Sequence, residues 1–266
     1  MQPSIYISNI ILSNFRSHEK FTINSNSKNI VLFGKNGVGK TNILESISLL
    51  SPGRGLRNAK NEEIINKNTN TDYGLSANLQ FDNNSIKIKK TYLRDETKKS
   101  NLFIDDEKSK TADLLNYLRV IWVTPVMEKI MLQSNSERRN FFDRLIFNIE
   151  KKHLKAFTAY NKFTKERLHI LKSNAPDSAW LEQIEKKIAV CAYEIIEYRQ
   201  VAVSKINTNL SLISLPFNSC IIELNYEDTL KITSDIGEFT FDYENTLFKN
   251  RIIDKETNRT LVGPNK

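Results

Sequence analysis

The sequence predicts an α/β fold that carries a helical arm, and three observations support this prediction. The stretch VLFGKNGVGKTNILESISLL (31–50) is typical of a short apolar strand, a glycine-rich turn and an amphipathic helix. Segments rich in β-branched and aromatic residues, typical of strands, lie on both sides of it. Two long segments further along the chain place apolar residues at helical spacing and are separated by a turn.

The N-terminal elements follow from local patterns. SIYISNIILSNF (4–15) and EKFTIN (19–24) alternate as strands do, and NIVLFG (29–34) is an apolar run expected of a buried strand. A helix should begin at Lys40 and end at SPGRG (51–55), with these apolar positions on one face: Ile43, Leu44, Ile47 and Leu50.

The next segment predicts an antiparallel set of strands. YGLSANLQF (73–81), SIKIKKTYL (85–93) and NLFID (101–105) are separated by turns rich in Asn and Asp. TADLLNYLRVIWVTP (111–125) then predicts a short helix and a strand that stops at Pro125.

A helical arm follows. Ser134 and Glu137 have the spacing of a capping box at a helix start. The turn KSNAPDS (172–178) separates the two long helices, and the return helix carries a heptad-like apolar series: Leu181, Ile184, Ile188, Cys191, Ile195 and Tyr198. CIIELNY (220–226) predicts a strand, and TLFKNRIIDKE (246–256) a short helix. The predicted domains are therefore the N-terminal part of a head (1–130), the arm (131–215) and the start of a return to the head (216–266).

Composition narrows the class of protein. The 266 residues carry 39 Lys and Arg against 31 Asp and Glu, a formal net charge of +8, which favours polyanionic partners or is simply a basic surface. Two cysteines exclude a disulfide framework, and the start of the chain does not resemble a signal peptide. With no apolar run long enough for a membrane span, the expected setting is cytoplasmic.

The glycine-rich turn predicts a phosphate-binding loop. Gly34, Lys35, Asn36, Gly37, Val38, Gly39, Lys40 and Thr41 satisfy G-x-x-x-x-G-K-[ST] in full. Its amides and the following helix N-terminus should face phosphate oxygens, Lys40 should reach the β- and γ-phosphates, and Thr41 should hold Mg²⁺. The sequence therefore predicts binding of Mg-ATP.

Hydrolysis needs a second acidic motif at the end of an apolar strand. Asp105 and Asp106 follow one such run and Glu223 another. The first pair is more typical of a hairpin turn, and Glu223 continues a strand alternation. The sequence thus predicts ATP binding and gives no basis for predicting hydrolysis by this chain.

Several segments together resemble the RecF family of DNA replication and repair proteins, SMC-like relatives of the ABC ATPases. They are ILSNFRSHEKF, FGKNGVGKTNILESISLLSPGRGLR, LRVIWVTPVMEKIM, SERRNFFDRLIF and the closing TLVGP. The resemblance implies an ABC/SMC-like ATPase head with a short antiparallel arm. It also implies an ATP site at Gly34–Thr41 and an arginine, Arg57, near phosphate.

The resemblance further implies partners for this chain. The chain also departs from the family pattern. RecF proteins dimerise around ATP, bind single-stranded and gapped or junction DNA, and act with RecO and RecR in recombinase loading and the SOS response. Neither the family's Ser-Gly-Gln type signature nor its acidic Walker B strand is present, and Asn265 stands where the family usually has His. A member shortened at its C-terminal end, and unable to complete the ATP-dependent homodimer with itself, is therefore expected.

Candidate DNA contacts come from clusters of basic residues. Lys87 and Lys89 should lie on one exposed face of a strand, and Lys90, Arg138 and Arg139 complete the set. A solvated lysine face and salt bridges within the helix are the structural alternatives. His18, His153 and His169 are scattered and are expected to be ordinary surface residues.

Three functions compete. The first is a RecF-type ATP- and DNA-binding repair protein. The second is a degenerate remnant that keeps the fold without ATP hydrolysis or repair activity. The third is a complete kinase or GTPase, which the lack of a second catalytic acid and of a base-recognition motif disfavours.

Overall fold

The structure is a computed structural model, and it describes residues 5–26, 29–69, 71–81, 84–94, 100–213, 218–226 and 230–265. The chain divides into two compact units, Met1–Trp122 and Val123–Lys266. This boundary differs from the three predicted domains, because the residues after 216 belong to the second unit.

The first unit is built on a six-stranded antiparallel sheet with the order β2-β1-β3-β4-β5-β6. Its strands are β1 Ile5–Phe15, β2 His18–Asn24, β3 Tyr73–Phe81, β4 Asn84–Tyr92, β5 Ser100–Ile104 and β6 Glu107–Ser109. The first five were predicted, because each alternates at a period of two. The short β6 was not predicted, since its three polar residues carry no apolar pattern.

Two helices and one 3₁₀ segment accompany this sheet. Helix α1 spans Lys40–Ser48 and helix α2 spans Asn61–Ile64, while a 3₁₀ helix covers Thr111–Asn116. The core of the unit combines alternate residues of the strands with the end of α1, and it includes Leu12, Leu49, Leu50, Leu75, Ala77 and Leu79. The alternation therefore fixes which face of the sheet is apolar.

Three predicted strands are absent from the described chain. Residues 29–34, 117–124 and 218–226 form no strand, and Val31, Phe33 and Ile221 are exposed over 84%, 91% and 77% of their surface. A strand persists only when its backbone N–H and C=O groups bond a neighbour, and no described strand pairs with these segments. At 218–226 the side-chain amide of Asn207 makes two such bonds instead, with Ile222 N and Ile222 O, both at 2.9 Å.

The second unit is helical. A 3₁₀ segment, Pro125–Leu132, precedes five helices among the described residues: α3 Asn135–Ile149, α4 Lys151–Leu171, α5 Ser178–Leu210, α6 Ile236–Lys249 and α7 Arg251–Thr257. The predicted capping box is confirmed, because Glu137 N donates to Ser134 Oγ and Ser134 N to Glu137 Oε2. The predicted helical pair is α4 and α5, which pack together along one core.

Helix α6 completes that core. Phe239, Tyr243 and Leu247 of α6 are buried against apolar residues of α4 and α5. The Tyr243 hydroxyl donates to Val262 O at 3.0 Å and lies 3.1 Å from the Tyr160 hydroxyl. The predicted short helix near 246–256 is therefore two helices, divided at Asn250, and the first of them is part of the arm.

Buried ion pairs join the helices of this unit. Arg167, which is fully buried, bonds Glu185 at 2.8 Å, Asp254 at 2.6 Å and Leu247 O at 2.7 Å. His153 was expected at the surface, but it is fully buried, and its Nε2 lies 3.0 Å from Asp143 Oδ1.

His153 lies on the side of α4 that contacts α3 and α5. The sequence of one chain shows no periodic sign that a polar residue will be paired inside a core.

No described helix has the length and apolar character needed to cross a membrane.

Candidate nucleotide-binding site

The glycine-rich loop has the backbone geometry that its sequence predicts. Gly34, Gly37 and Gly39 have φ values of 142°, 87° and 96°, a region that residues with a β-carbon rarely adopt. Gly39 is the N-cap of α1, so the free amides of the first helical turn begin where the loop ends. This arrangement is a ready site for an anion, because those amides and the helix dipole favour negative charge.

The two polar residues of the motif lie at the head of α1. Lys40 Nζ donates to Gly34 O and to Lys35 O, both at 2.7 Å, so its ammonium group lies across the loop. Thr41 is exposed next to it. A cationic side chain and a hydroxyl at a helix N-terminus are the groups that hold a polyphosphate and its Mg²⁺ in loops of this kind.

The turn between β1 and β2, together with His18 at the start of β2, packs against the loop. His18 Nε2 lies 3.3 Å from Gly39 O, and a β-carbon on Gly39 would overlap the His18 ring and lie 2.9 Å from Ser17 Oγ. Gly39 is therefore required for close packing as well as for its φ. Sequence reasoning missed His18 at this site, because the turn and the loop lie far apart in the chain.

Arg57 lies alongside α1. Its Nη1 donates to Glu45 Oε2 at 2.7 Å and to Asn42 Oδ1 at 2.8 Å. Glu45 is fully buried and also binds Arg16, with Nε to Oε2 at 2.9 Å and Nη2 to Oε1 at 2.6 Å. The sequence predicted Arg57 at this site, and it gave no sign of Arg16, Asn42 or Glu45.

The candidate DNA contacts on β4 separate into two faces. Lys87 and Lys89 are exposed, as the alternation predicted, and Lys87 forms an ion pair at 3.3 Å with the exposed Asp106. Lys90 is only 6% exposed, and its Nζ donates to Leu49 O at 3.4 Å, at the C-terminal end of α1. Burial lowers the pKa of Lys90 to about 8. The prediction that Lys90 contacts DNA is therefore wrong, because a residue next to Lys89 in a strand faces the opposite side.

The two arginines of the arm lie on α3. Arg138 is exposed, and its Nη1 donates to Met131 O at 3.1 Å while Nη2 bonds Asn135 Oδ1. Arg139 is half-buried. Arg138 is therefore anchored to the start of its own unit, with its side chain accessible to solvent.

Neither candidate acidic motif has the geometry expected of a catalytic acid at the end of a buried strand. Asp105 and Asp106 have φ values of 50° and 64° and form the turn between β5 and β6, which confirms the hairpin interpretation. Glu223 lies in the segment 218–226, which forms no strand.

Comparisons with known proteins identify the family and the fold. Residues 6–127 match the family model of the RecF/RecN/SMC N-terminal domain. The chain is 31% identical over 270 residues to the DNA replication and repair protein RecF of Rickettsia prowazekii, covering 99% of this chain and 72% of that protein. RecF of Rhizobium rhizogenes is 29% identical, with 100% and 72% covered.

A solved structure of the recombination mediator protein RecF with ATP, from the RecFOR pathway, superposes with a TM-score of 0.85. It is 25% identical and covers 99% of this chain and 72% of its own. The fold is thus that of a RecF/SMC ATPase head, in which helices accompany an antiparallel sheet.

Proposed function

The chain belongs to the RecF family of DNA replication and repair proteins, and from that premise we propose that it binds ATP at Gly34–Thr41 and binds DNA. The observation that carries the proposal is the loop geometry: three glycines at positive φ lead into α1, with Lys40 as its first residue. A solved RecF structure of the same fold was determined with ATP, which supports the same ligand here.

The residues of the loop fit the polyphosphate of the nucleotide. The loop amides would donate to phosphate oxygens. Lys40 would exchange its bonds to Gly34 O and Lys35 O for the β- and γ-phosphates, and Thr41 would hold Mg²⁺ through its hydroxyl. Exchange of one set of oxygen acceptors for another costs little, because the ammonium group stays hydrogen-bonded throughout.

DNA binding is proposed for the exposed basic residues. Lys87 and Lys89 share one face of β4, and Arg138 is exposed on α3. Such residues neutralise phosphates without reading sequence, which suits a protein that recognises gapped or junction DNA. Action with RecO and RecR in recombinase loading completes the proposed family role.

The ATP proposal is tested by thermal unfolding of the full chain with and without Mg-ATP. At a hundredfold excess over its dissociation constant, a ligand that binds only the folded state adds about 2.7 kcal/mol of stability. We expect ATP to raise the melting temperature of the wild type and not that of Lys40→Ala. The matched control is Lys108→Ala, an exposed lysine on β6 of the same unit, which should respond as the wild type does.

A wild-type chain that melts cooperatively and is indifferent to ATP would refute ATP binding. That result would favour the second function considered above, a remnant that retains only the fold.

The DNA proposal is tested by the salt dependence of binding to a gapped duplex. Each lost phosphate contact should reduce the slope of log K against log salt concentration by about 0.9 for duplex DNA. We expect Lys87→Ala and Lys89→Ala each to reduce the slope, and Lys90→Met, on the buried face of the same strand, to leave it unchanged. Equal slopes in all variants would show that β4 does not contact DNA.

A further inference from the structure

Helix α4 exposes basic residues along its whole length. Seven of its 21 residues are exposed, and none of the seven is acidic or apolar. They are Lys151, Lys152, Lys155, Thr158, Lys162, Lys165 and His169, and the exposed C-cap Lys172 follows them. We propose that this face of α4 is a second DNA-binding surface, which binds the phosphate backbone of a duplex. The inference rests on the proposed binding of DNA, and it concerns the second unit, whereas Lys87 and Lys89 lie in the first.

The spacing of the exposed lysines brings most of them into one line. Steps of four, seven, three and seven residues separate Lys151, Lys155, Lys162, Lys165 and Lys172. Residues at such steps lie on the same side of an α-helix, so these five residues form one row, the α4 lysine row. At a rise of about 1.5 Å per residue, the row extends for about 30 Å. This length matches about nine base pairs of a duplex at about 3.4 Å each.

The protein does not neutralise the charge of this row. Four of its lysines form no ion pair with a residue that the structure describes: Lys155, Lys162, Lys165 and Lys172. Residues 150–172 include two acids, Glu150 and Glu166, and both are half-buried. Glu150 is also the N-cap of α4, where it accepts a bond from Lys152 N at 3.1 Å. The positive charge along the row is therefore available to attract a polyanion.

One aromatic ring lies beside two of the cations. Lys162 Nζ lies 5.9 Å from the centre of the Phe163 ring, and Nζ of Lys187, an exposed residue of α5, lies 5.6 Å from the same centre. A ring contact stabilises an ammonium group without cancelling its charge. The N–H groups that point away from the ring remain free to donate to phosphate oxygens.

The composition of this face favours a duplex backbone over other polyanions. Protein interfaces are rich in aromatic residues and poor in lysine, and the exposed face of α4 has no apolar side chain. Proteins bind single-stranded DNA largely by stacking its bases on aromatic rings. The aromatic residues of α4, Phe157, Tyr160 and Phe163, belong to the helical core. The row is therefore suited to phosphates alone, which a duplex presents as a continuous series.

The test compares duplex binding by the wild-type full chain and by two quadruple variants, in the absence of nucleotide. The row variant replaces four lysines with glutamine, a residue of similar helix propensity: Lys155→Gln, Lys162→Gln, Lys165→Gln and Lys172→Gln. The matched control changes four exposed lysines of the same unit outside α4: Lys205→Gln, Lys231→Gln, Lys249→Gln and Lys255→Gln. Both variants lose the same net charge, so a difference between them reports position on the surface.

We expect the row variant to bind a blunt duplex about tenfold or more weakly than the wild type at physiological salt. The slope of log K against log salt concentration should fall by about 3 to 4, because each lost phosphate contact removes about 0.9. The control should change the slope by about 1 or less. A single strand of the same sequence should bind the wild type more weakly than the duplex does.

Lysine acetylation read by mass spectrometry gives a second measurement that needs no variant. Bound duplex should suppress acetylation of Lys155, Lys162 and Lys165 in the wild type, and leave that of Lys249 and Lys255 unchanged. The melting temperature of each variant without DNA shows whether it is folded. If the row variant does not fold, the acetylation pattern decides the question.

The outcomes distinguish this inference from the proposed function. A wild type that binds no DNA refutes both. If the wild type binds the duplex while the row variant matches the control, or while acetylation of the row is unaffected, α4 is a solvated lysine face; the inference is then overturned and DNA binding stands. Binding of the single strand as tightly as the duplex would overturn the assignment to a duplex backbone.

Discussion

Replacing Lys90 with methionine should remove a pH dependence from the stability of the first unit. Lys90 is buried, and burial lowers its pKa from 10.5 in the unfolded chain to about 8 in the fold. Between these two values the unfolded state binds more protons than the folded state, so stability rises with pH. Methionine has a similar length and does not titrate, so the variant lacks this contribution.

The magnitude follows from the two pKa values. A shift of about 2.5 units means that the charged ammonium group costs roughly 3 kcal/mol in the fold at neutral pH. Raising the pH from 7 to 10 should increase the free energy of unfolding of the wild type by about 2 kcal/mol, because the Lys90 ammonium group loses its proton. Lys90→Met should therefore be the more stable chain at pH 7, even though it lacks the bond from Nζ to Leu49 O, and the difference should shrink by pH 10.

The assay is urea unfolding at pH 7 and pH 10, followed by tryptophan fluorescence. The chain has two tryptophans, and a Trp180→Phe background leaves Trp122, in the first unit, as the reporter. Other lysines and tyrosines titrate in the same range, so the quantity measured is the difference between the two chains at each pH. A difference that is the same at both values would show that Lys90 is ordinarily hydrated, and would refute the argument from burial.

Three predictions concern the second unit, each measured by chemical unfolding against the wild type. Arg167→Leu should lower the free energy of unfolding by about 3 kcal/mol or more, because the buried carboxylate of Asp254 would lose its ionic partner. A change under about 1 kcal/mol would contradict this. Gly263→Ala should cost about 2 kcal/mol or more, since Gly263 has a φ of 140° and a β-carbon there would overlap the Tyr243 hydroxyl. If Gly263→Ala leaves the free energy of unfolding unchanged, Gly263 is not packed against the Tyr243 hydroxyl as described. Ser134→Ala should cost about 1 kcal/mol by removing the cap of α3, and Ser134→Asp should restore it; a failure of aspartate to do so would argue against capping.

Local sequence patterns predicted most elements of the fold. They failed where a segment becomes a strand only if a neighbouring strand pairs with it. Strands β1 to β5 and helices α1, α3, α4 and α5 were predicted because alternation or helical spacing marks each one within its own segment. The runs at 29–34 and 220–226 are as apolar as the true strands, yet neither is paired in the described chain. An apolar composition indicates that a segment can form a strand. It forms one only when another part of the chain supplies the neighbouring strand that hydrogen-bonds to it.

The phosphate-binding loop was determined by the sequence alone. Its chemistry resides in consecutive residues, Gly34–Thr41, so the backbone freedom of the glycines and the position of Lys40 can be predicted without knowing the rest of the fold. The same holds for the capping box of α3, whose two residues are one helical turn apart.

Tertiary structure alone decided which residues surround that loop. Arg16, Glu45 and Arg57 meet because the turn after β1, helix α1 and the turn after α1 pack together. Lys90 reaches the end of α1 because its face of β4 is turned toward the core. The same side chains would be ordinary surface charges in another packing, since their partners lie far apart in the chain and meet only when the core forms.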